Sequence, residues 1–528
     1  MTERRQSPMA LKAGGRASSL YAAEGFDDAN GQAELAASYI TQLREQAATV
    51  LGSTVAATLV PVEYNGDFNW SWTDGINVNQ LTYNYISGAV TPSETQADTV
   101  QIAGQGTLAL MYQQLVNGIA WQFSAADNAV QQTAMTNSQT QATSVVTAYI
   151  GVYGAPTAAQ MTAAQAINPY ITQPIDYIVL YAAGIQWAGI AKGLPGLSLT
   201  TMQGAANLRL LLQYAPPSAQ PVIQAIVAYL NALGGAVRLF DMQSLGNYTL
   251  QQIKNNLTPN TTNGGISLFN PPSAGPALGY SSNMTTSAIL QDLNNVSQKA
   301  TLSFTAQKTQ SSSYNVAFQG SAGLSFGGAL LNISAGTSFK GDVAAQQGSG
   351  SSMTITMVYP GVTIIPFFPT GYQGTAVPTT GWFYEPILNQ AWSNLQAGSA
   401  AAESGFTFVN AIPGGITLGA DGLAYIKALV VSGYPTITVD FAQGEYASFS
   451  SWLSTHTSVS VSLFGFIPLG GSSVDTYTAS ASQSSSGTGF SLTLTPPAAG
   501  SQGQTIPVAN QTVPVLAAQT FPLGVSQA

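Results

Sequence analysis

A serine set between glycines, Gly323-Leu324-Ser325-Phe326-Gly327, is the chain's one nucleophile-elbow pattern. Flanking glycines permit the sharp strand-to-helix turn that exposes a serine hydroxyl in an α/β-hydrolase, where an acid and then a histidine follow it in the chain. Asp421 or Asp440, then His456, obey that order, and His456 is the only histidine. Against this reading, Leu324-Ser325-Phe326 also alternates as a strand. Helical patterns gather before the serine and strand patterns after it, whereas that fold needs the two to alternate. Ser325, Asp440 and His456 therefore define an alternative, a serine hydrolase, and the favoured expectation is a protein without catalysis.

Other chemistry has less to work with. Asp67 and Asp74 bracket Phe68-Asn69-Trp70-Ser71-Trp72, so Trp70 and Trp72 are candidates for stacking on a surface glycan, or else ordinary core or sheet-face aromatics. There are no cysteines, which removes disulfides and thiolate ligands, and a single histidine cannot build a histidine metal cluster. No lysine-bearing phosphate loop is present. The expectation is no cofactor and no metal.

Composition says more than any motif. Charged residues make up 7% of the 528, against about a quarter in ordinary globular proteins. From Gly341 onward the only basic side chain is Lys427, against seven acids. A surface of hydroxyls and amides lacks the charge mosaic that keeps copies apart, so a homo-oligomer is expected. The formal charge of -9 argues against nucleic acid as a partner, since phosphate binding needs clustered Lys and Arg. Arg4, Arg5, Lys12 and Arg16 form a short basic tail with no apolar run behind it, so a standard secretory signal is not recognised. The location is left open between the outside, reached by another route, and the cytoplasm.

These residues need elements to hold them. Residues 1–18 read as a disordered basic tail. Residues 19–257 read as a mainly α-helical domain, opened by a helix over 33–51 with Leu35, Tyr39, Leu43 and Ala47 on one stripe. A short β segment is expected near 54–86. One helix is expected from Gly106 through Leu108, Met111, Tyr112, Leu115, Ile119, Phe123 and Val130. Two apolar segments, 175–191 and 222–240, raise the question of a membrane span, but interrupting polar residues make them buried bundle helices. Residues 258–298, rich in Asn, Thr, Pro, Gly and Ser, read as a linker or exposed loops.

From 299 to 528 the period becomes two, and a β-rich domain is expected. Two related hairpin units echo each other within it at an offset of 137 residues. Leu324 and Phe326 match Val461 and Leu463, while Ile355 and Met357 match Leu492 and Leu494; Pro360 and Pro497 follow in turn. Each unit is polar on one face and apolar on the other. Such strands form a soluble sheet with a polar outer face, or enter a membrane as hairpins once closed into a barrel, or pair between molecules. The fold class is thus α+β, an α-helical N-terminal region followed by a mainly antiparallel β-rich C-terminal domain. The function expected is self-association and action by contact, in its sharpest form that of a pore-forming or membrane-engaging, toxin-like protein, with a structural or surface assembly component as the alternative.

Overall fold

The computed structural model describes residues 29–528 except 57, 62–67, 70–76, 93–99, 170, 183–211, 270–274, 311–312, 320, 336–338, 343–349, 376–377, 399–401, 414–415, 445, 455–457, 465–466, 470–476, 485–486, 502–510 and 526–528. The fold is α+β, with helices in the N-terminal part and a mostly antiparallel β-rich C-terminal region. Two compact units are present, and neither is continuous in the chain. The sheet-bearing unit takes the described residues of Met1–Asn117, Gln252–Asn389 and Ile412–Ala528, and the helical unit takes those of Gly118–Gln251 and Gln390–Ala411.

The sheet-bearing unit is organised around one helix and a curled sheet. Helix α1 (Ala29–Leu51) buries Leu35, Tyr39, Leu43 and Ala47, the stripe expected from their spacing. The large sheet is built from β1 (Ala300–Gln310), β2 (Ser313–Phe318), β3 (Leu324–Gly327), β4 (Leu331–Ala335), β5 (Phe339–Asp342), β6 (Ser352–Tyr359), β7 (Thr436–Phe441), β8 (Ser458–Leu463), β9 (Ile467–Leu469), β10 (Tyr477–Gln483) and β11 (Phe490–Thr495). Its order is β3-β2-β1-β6-β7-β11-β10-β8-β4-β5, and β9 pairs with β8.

This order forces curvature. Strands β3 and β4 sit towards opposite ends of the sheet, yet only Gly328, Ala329 and Leu330 join them. Laid flat, eight strand spacings of about 4.8 Å would separate them by roughly 38 Å. Three linking residues span about a third of that. The sheet therefore rolls until its ends meet, and α1 lies against the inner face in a shared core.

Alternation along each strand decides what the two faces carry. Leu302, Phe304, Met353, Ile355, Met357, Ile437, Val439, Leu492 and Leu494 point inward and are buried. The outer face carries hydroxyls. Ser303, Thr356, Thr438, Thr493 and Ser480 lie in one row across β1, β6, β7, β11 and β10. The Ser303 and Thr356 hydroxyls of that row are 3.3 Å apart.

A second sheet in this unit runs Leu59–Val60, Val515–Pro522, Ala424–Val431, Gly88–Pro92 and Val100–Thr107, with Thr363–Pro366 paired to Ala424–Val431. The stretch expected to be a linker or exposed loops, 258–298, is instead built into this unit. Its strand Ser267–Phe269 pairs with Asn77–Asn79, and Leu268, Leu278 and Tyr280 are buried. Polar composition misled there because the few large apolar residues it carries, Ile266, Leu268, Leu278, Tyr280, Ile289 and Leu293 among them, are buried, with Val296 the exposed exception. The β segment near 54–86 is also mixed, since Gln80–Ile86 is a helix.

In the helical unit the single helix expected from Gly106 is broken. Helix α2 (Leu108–Asn117) ends before it, and a strand, Ile119–Gln122, pairs with Gly405–Phe408. Helix α3 (Ala125–Tyr153) then starts at Ser124, whose hydroxyl accepts the Asp127 amide hydrogen bond at 3.1 Å. The periodicity of Ile119, Phe123 and Val130 continued through the break, although Asn117-Gly118 is a local stop and the following strand is held by pairing with a distant segment. The core of this unit joins the end of α3, through Val145 and Tyr149, to Tyr177, Ile178 and the start of α4 (Gln220–Asn256), through Val222, Ile223 and Ile226.

Candidate functional site

The elbow serine is on a strand. Ser325 sits in β3, exposed and opposite Asn315 in β2, with no strand-to-helix turn. Asp440 is in β7, four strands away and on the order of 19 Å at ordinary strand spacing. Its carboxylate accepts the Ser491 hydroxyl. His456, Trp70 and Trp72 lie outside the described residues. The structure does not bring Ser325 and Asp440 together.

The hairpin residues occupy the inner face. Phe326, Ile355, Met357, Val461, Leu463, Leu492 and Leu494 are buried, and Leu324 is half-buried. The two echoed units are only partly equivalent in the sheet. Strands β6 and β11 flank β7 symmetrically, whereas among the described residues β3 pairs with β2 alone and β8 pairs with β4, β9 and β10. The prolines that close β6 and β11 converge, because Pro360, Pro496 and Pro497 line a crevice of about 180 Å³ with Leu293, Tyr434 and Val513. Tyr434 donates to or accepts from Thr512 at 2.9 Å, and the crevice walls are otherwise mostly apolar.

Shifted acidities gather elsewhere in the sheet-bearing unit, around the start of helix α6 (Glu385–Gln396). The Tyr112 hydroxyl accepts the Tyr384 amide at 3.0 Å and donates to the Tyr384 carbonyl at 3.1 Å. Its ring packs edge-on to Trp382 at 5.8 Å, and Trp382 packs edge-on to Tyr280 at 5.8 Å. Burial raises the Tyr112 and Tyr280 hydroxyls, and pushes Tyr83 up to about 12. Tyr425 is also raised to about 12, by burial and then by the Glu385 charge.

Glu385 has its own carboxyl raised by burial, which the Asn389 amide and the Lys427 charge partly reverse. Its Oε1 and the Asn389 Oδ1 one turn later are buried acceptors without a donor. A proton on Glu385 would supply one donor to this acceptor pair. The causes that act on Glu385 are burial, the Asn389 side chain and the Lys427 charge. Among the described residues no group of three His, Asp or Glu could hold a metal ion.

This has a consequence for stability. A carboxyl raised in the folded state contributes stability below its unfolded value and loses it as pH rises through the folded value. Glu385→Gln should therefore gain on the wild type in urea midpoint as pH climbs from the ordinary carboxylate range to neutrality. Parallel midpoint curves for the two proteins would refute the shift.

Sequence reasoning missed the most distinctive surface. Among the described residues, fourteen of the seventeen exposed large hydrophobic side chains belong to the helical unit, the smaller of the two. The segment 222–240 was expected to be a buried bundle helix, but α4 continues to Asn256 and exposes Val237, Phe240, Leu245 and Tyr248. The signal was the continuation of helical spacing beyond Phe240.

No protein-family model, curated protein or solved structure matches the chain.

Proposed function

We propose that this is a non-enzymatic, self-associating protein that works by contact, as a structural or surface assembly component. The observation that carries the reading is the gathering of exposed apolar side chains on the helical unit. Contiguous apolar surface on a soluble protein marks a place of contact. The scarcity of charge adds to it, because few like charges oppose the approach of a second copy.

A second reading, engagement of a membrane in the manner of a pore-forming toxin, has one observation in its favour. No single described helix is long and apolar enough to cross a membrane, but the two arms of α4, Gln220–Gly234 and Ala236–Asn256, meet the length and composition together across a 43° bend. The β hairpins favour it less, since their apolar faces are turned in towards α1 and would have to leave that core to meet lipid.

Light scattering over a wide concentration range, with and without liposomes carrying a trapped dye, tests both. Masses at multiples of 54.6 kDa without dye release are the expected result. Release would move the conclusion to the membrane reading, and a monomer at every concentration that releases nothing would sink both.

A further inference from the structure

We infer that two copies of the chain pair through the second arm of α4, in antiparallel fashion about a two-fold axis between Met242 and Gln243. The inference rests on the self-association reading and names its surface. Within the helical unit, Ala236, Leu239, Gly246 and Leu250 form the buried side of this arm. Packing there is close, since a Cβ on Gly246 would lie 2.0 Å from Cδ1 of Trp121.

The opposite side holds Val237, Phe240, Asp241, Ser244, Leu245 and Tyr248, all exposed. Their spacing of three, four, seven, eight and eleven from Val237 keeps them on one stripe of an α-helix. A helix with an apolar stripe on each side has more apolar surface than the described residues cover.

The occupant follows from the order of residues within the stripe. Read from either end, the pattern is apolar, apolar, polar, polar, apolar, apolar, and it reverses onto itself. A two-fold axis places Val237 against Tyr248 of the second copy, Phe240 against Leu245, and Asp241 against Ser244, whose hydroxyl can donate to the carboxylate. Such self-complementarity is what an isologous contact requires. Asp241 is the stripe's one charge and meets a hydroxyl, and Arg238 is exposed on the flank. The stripe offers on the order of 400 Å² per copy, about half of what a standard interface buries on each partner, so the pairing is weak and depends on concentration.

Cysteine substitution tests the register directly, because the chain has none of its own. Positions 237 and 248 of one helix are about 16 Å apart, too far for a disulfide within one chain. On mild air oxidation the double variant Val237→Cys/Tyr248→Cys should run as a disulfide dimer that thiol reductant dissolves. An equimolar mixture of the two single variants should cross-link, and neither single variant alone should do so. Leu245→Glu, at a site 67% exposed, should keep the helical circular dichroism and weaken self-association at least tenfold.

If the wild type associates but the double variant does not cross-link and Leu245→Glu changes nothing, this inference falls while the self-association reading stands. A wild type that stays monomeric removes both. Loss of liposome binding in Leu245→Glu, with the chain monomeric throughout, would show that the stripe meets lipid and would also overturn the pairing.

Discussion

Replacing Gly361 with alanine is expected to destabilise the sheet-bearing unit by several kcal/mol, enough to remove most of its soluble folded population. Gly361 adopts φ +64 in the turn that leaves β6. Left-handed backbone of this kind costs a residue with a Cβ about 1 kcal/mol. Most of the effect is steric. An alanine Cβ would sit 2.1 Å from the Leu293 carbonyl oxygen and 2.3 Å from its carbon, at the end of helix α5 (Thr286–Leu293). Both contacts are backbone, so no side chain can rotate away.

Relief would require moving a turn fixed from three sides. The Gly361 amide donates to Asn295 O at 3.1 Å, the Val362 amide to Gln298 O at 2.9 Å, and the Gly433 amide to the Pro360 carbonyl at 2.8 Å. Against a typical total of 5–15 kcal/mol, losing this register is severe. Gly487→Ala is the control. It too has positive φ, +72, but an added Cβ would meet nothing within 4 Å, so only the conformational cost of about 1 kcal/mol remains. A Gly361→Ala protein that melts alongside Gly487→Ala would disprove the steric argument.

Much of this architecture can be read from local pattern, and the exceptions share a cause. The α1 stripe of Leu35, Tyr39, Leu43 and Ala47 is legible because a helix repeats its own periodicity whatever it packs against. Alternation likewise identifies β1, β6, β7 and β11 and tells which residues share a face. It does not tell which way that face looks. Ile355 and Leu492 fit a membrane hairpin and a buried core equally well by pattern, and the core they share is with α1, more than 300 residues earlier in the chain.

Closure of the sheet is invisible for the same reason. It depends on β3 and β4 taking places at opposite ends, which no local spacing encodes. The elbow around Ser325 shows the converse case, where a motif of five residues carries information only if the surrounding order of strands and helices supports it. The Glu385 cluster had no local signal, since Tyr112, Tyr280 and Tyr425 approach it from three separate segments. By contrast the α4 stripe was legible in spacing. The expectation of a buried helix ends at Phe240 and rests on apolar helices in a bundle being usually covered; Leu245 and Tyr248 lie beyond it.

Phe464 is where the rolled sheet is fastened, and its substitution should separate packing from backbone strain. The residue follows β8, is 1% exposed, and is the one described non-glycine residue with positive φ, at 55. Its ring meets Phe304 of β1 at 5.7 Å, Phe326 of β3 at 5.8 Å and Tyr39 of α1 at 6.3 Å. Its amide donates to Leu330 O at 2.8 Å, in the short link that joins β3 to β4. Attached after β8, near one end of the sheet, this side chain thus touches β1 and β3 towards the other end and the helix inside it. Phe464→Ala should cost about 3–5 kcal/mol through lost burial and the cavity left among those rings.

Phe464→Gly removes the same ring and also the Cβ that makes a left-handed residue strained. Glycine usually destabilises relative to alanine, by roughly 0.5–1 kcal/mol in regular structure. Here the order should reverse, with the glycine variant about 1 kcal/mol more stable than the alanine variant in urea unfolding followed on the sheet signal. An alanine variant equal to or better than glycine would mean that the backbone at 464 relaxes once the ring is gone. In that case the ring holds the backbone in its strained form, and the curl of the sheet depends on packing against α1 more than on the turn after β8.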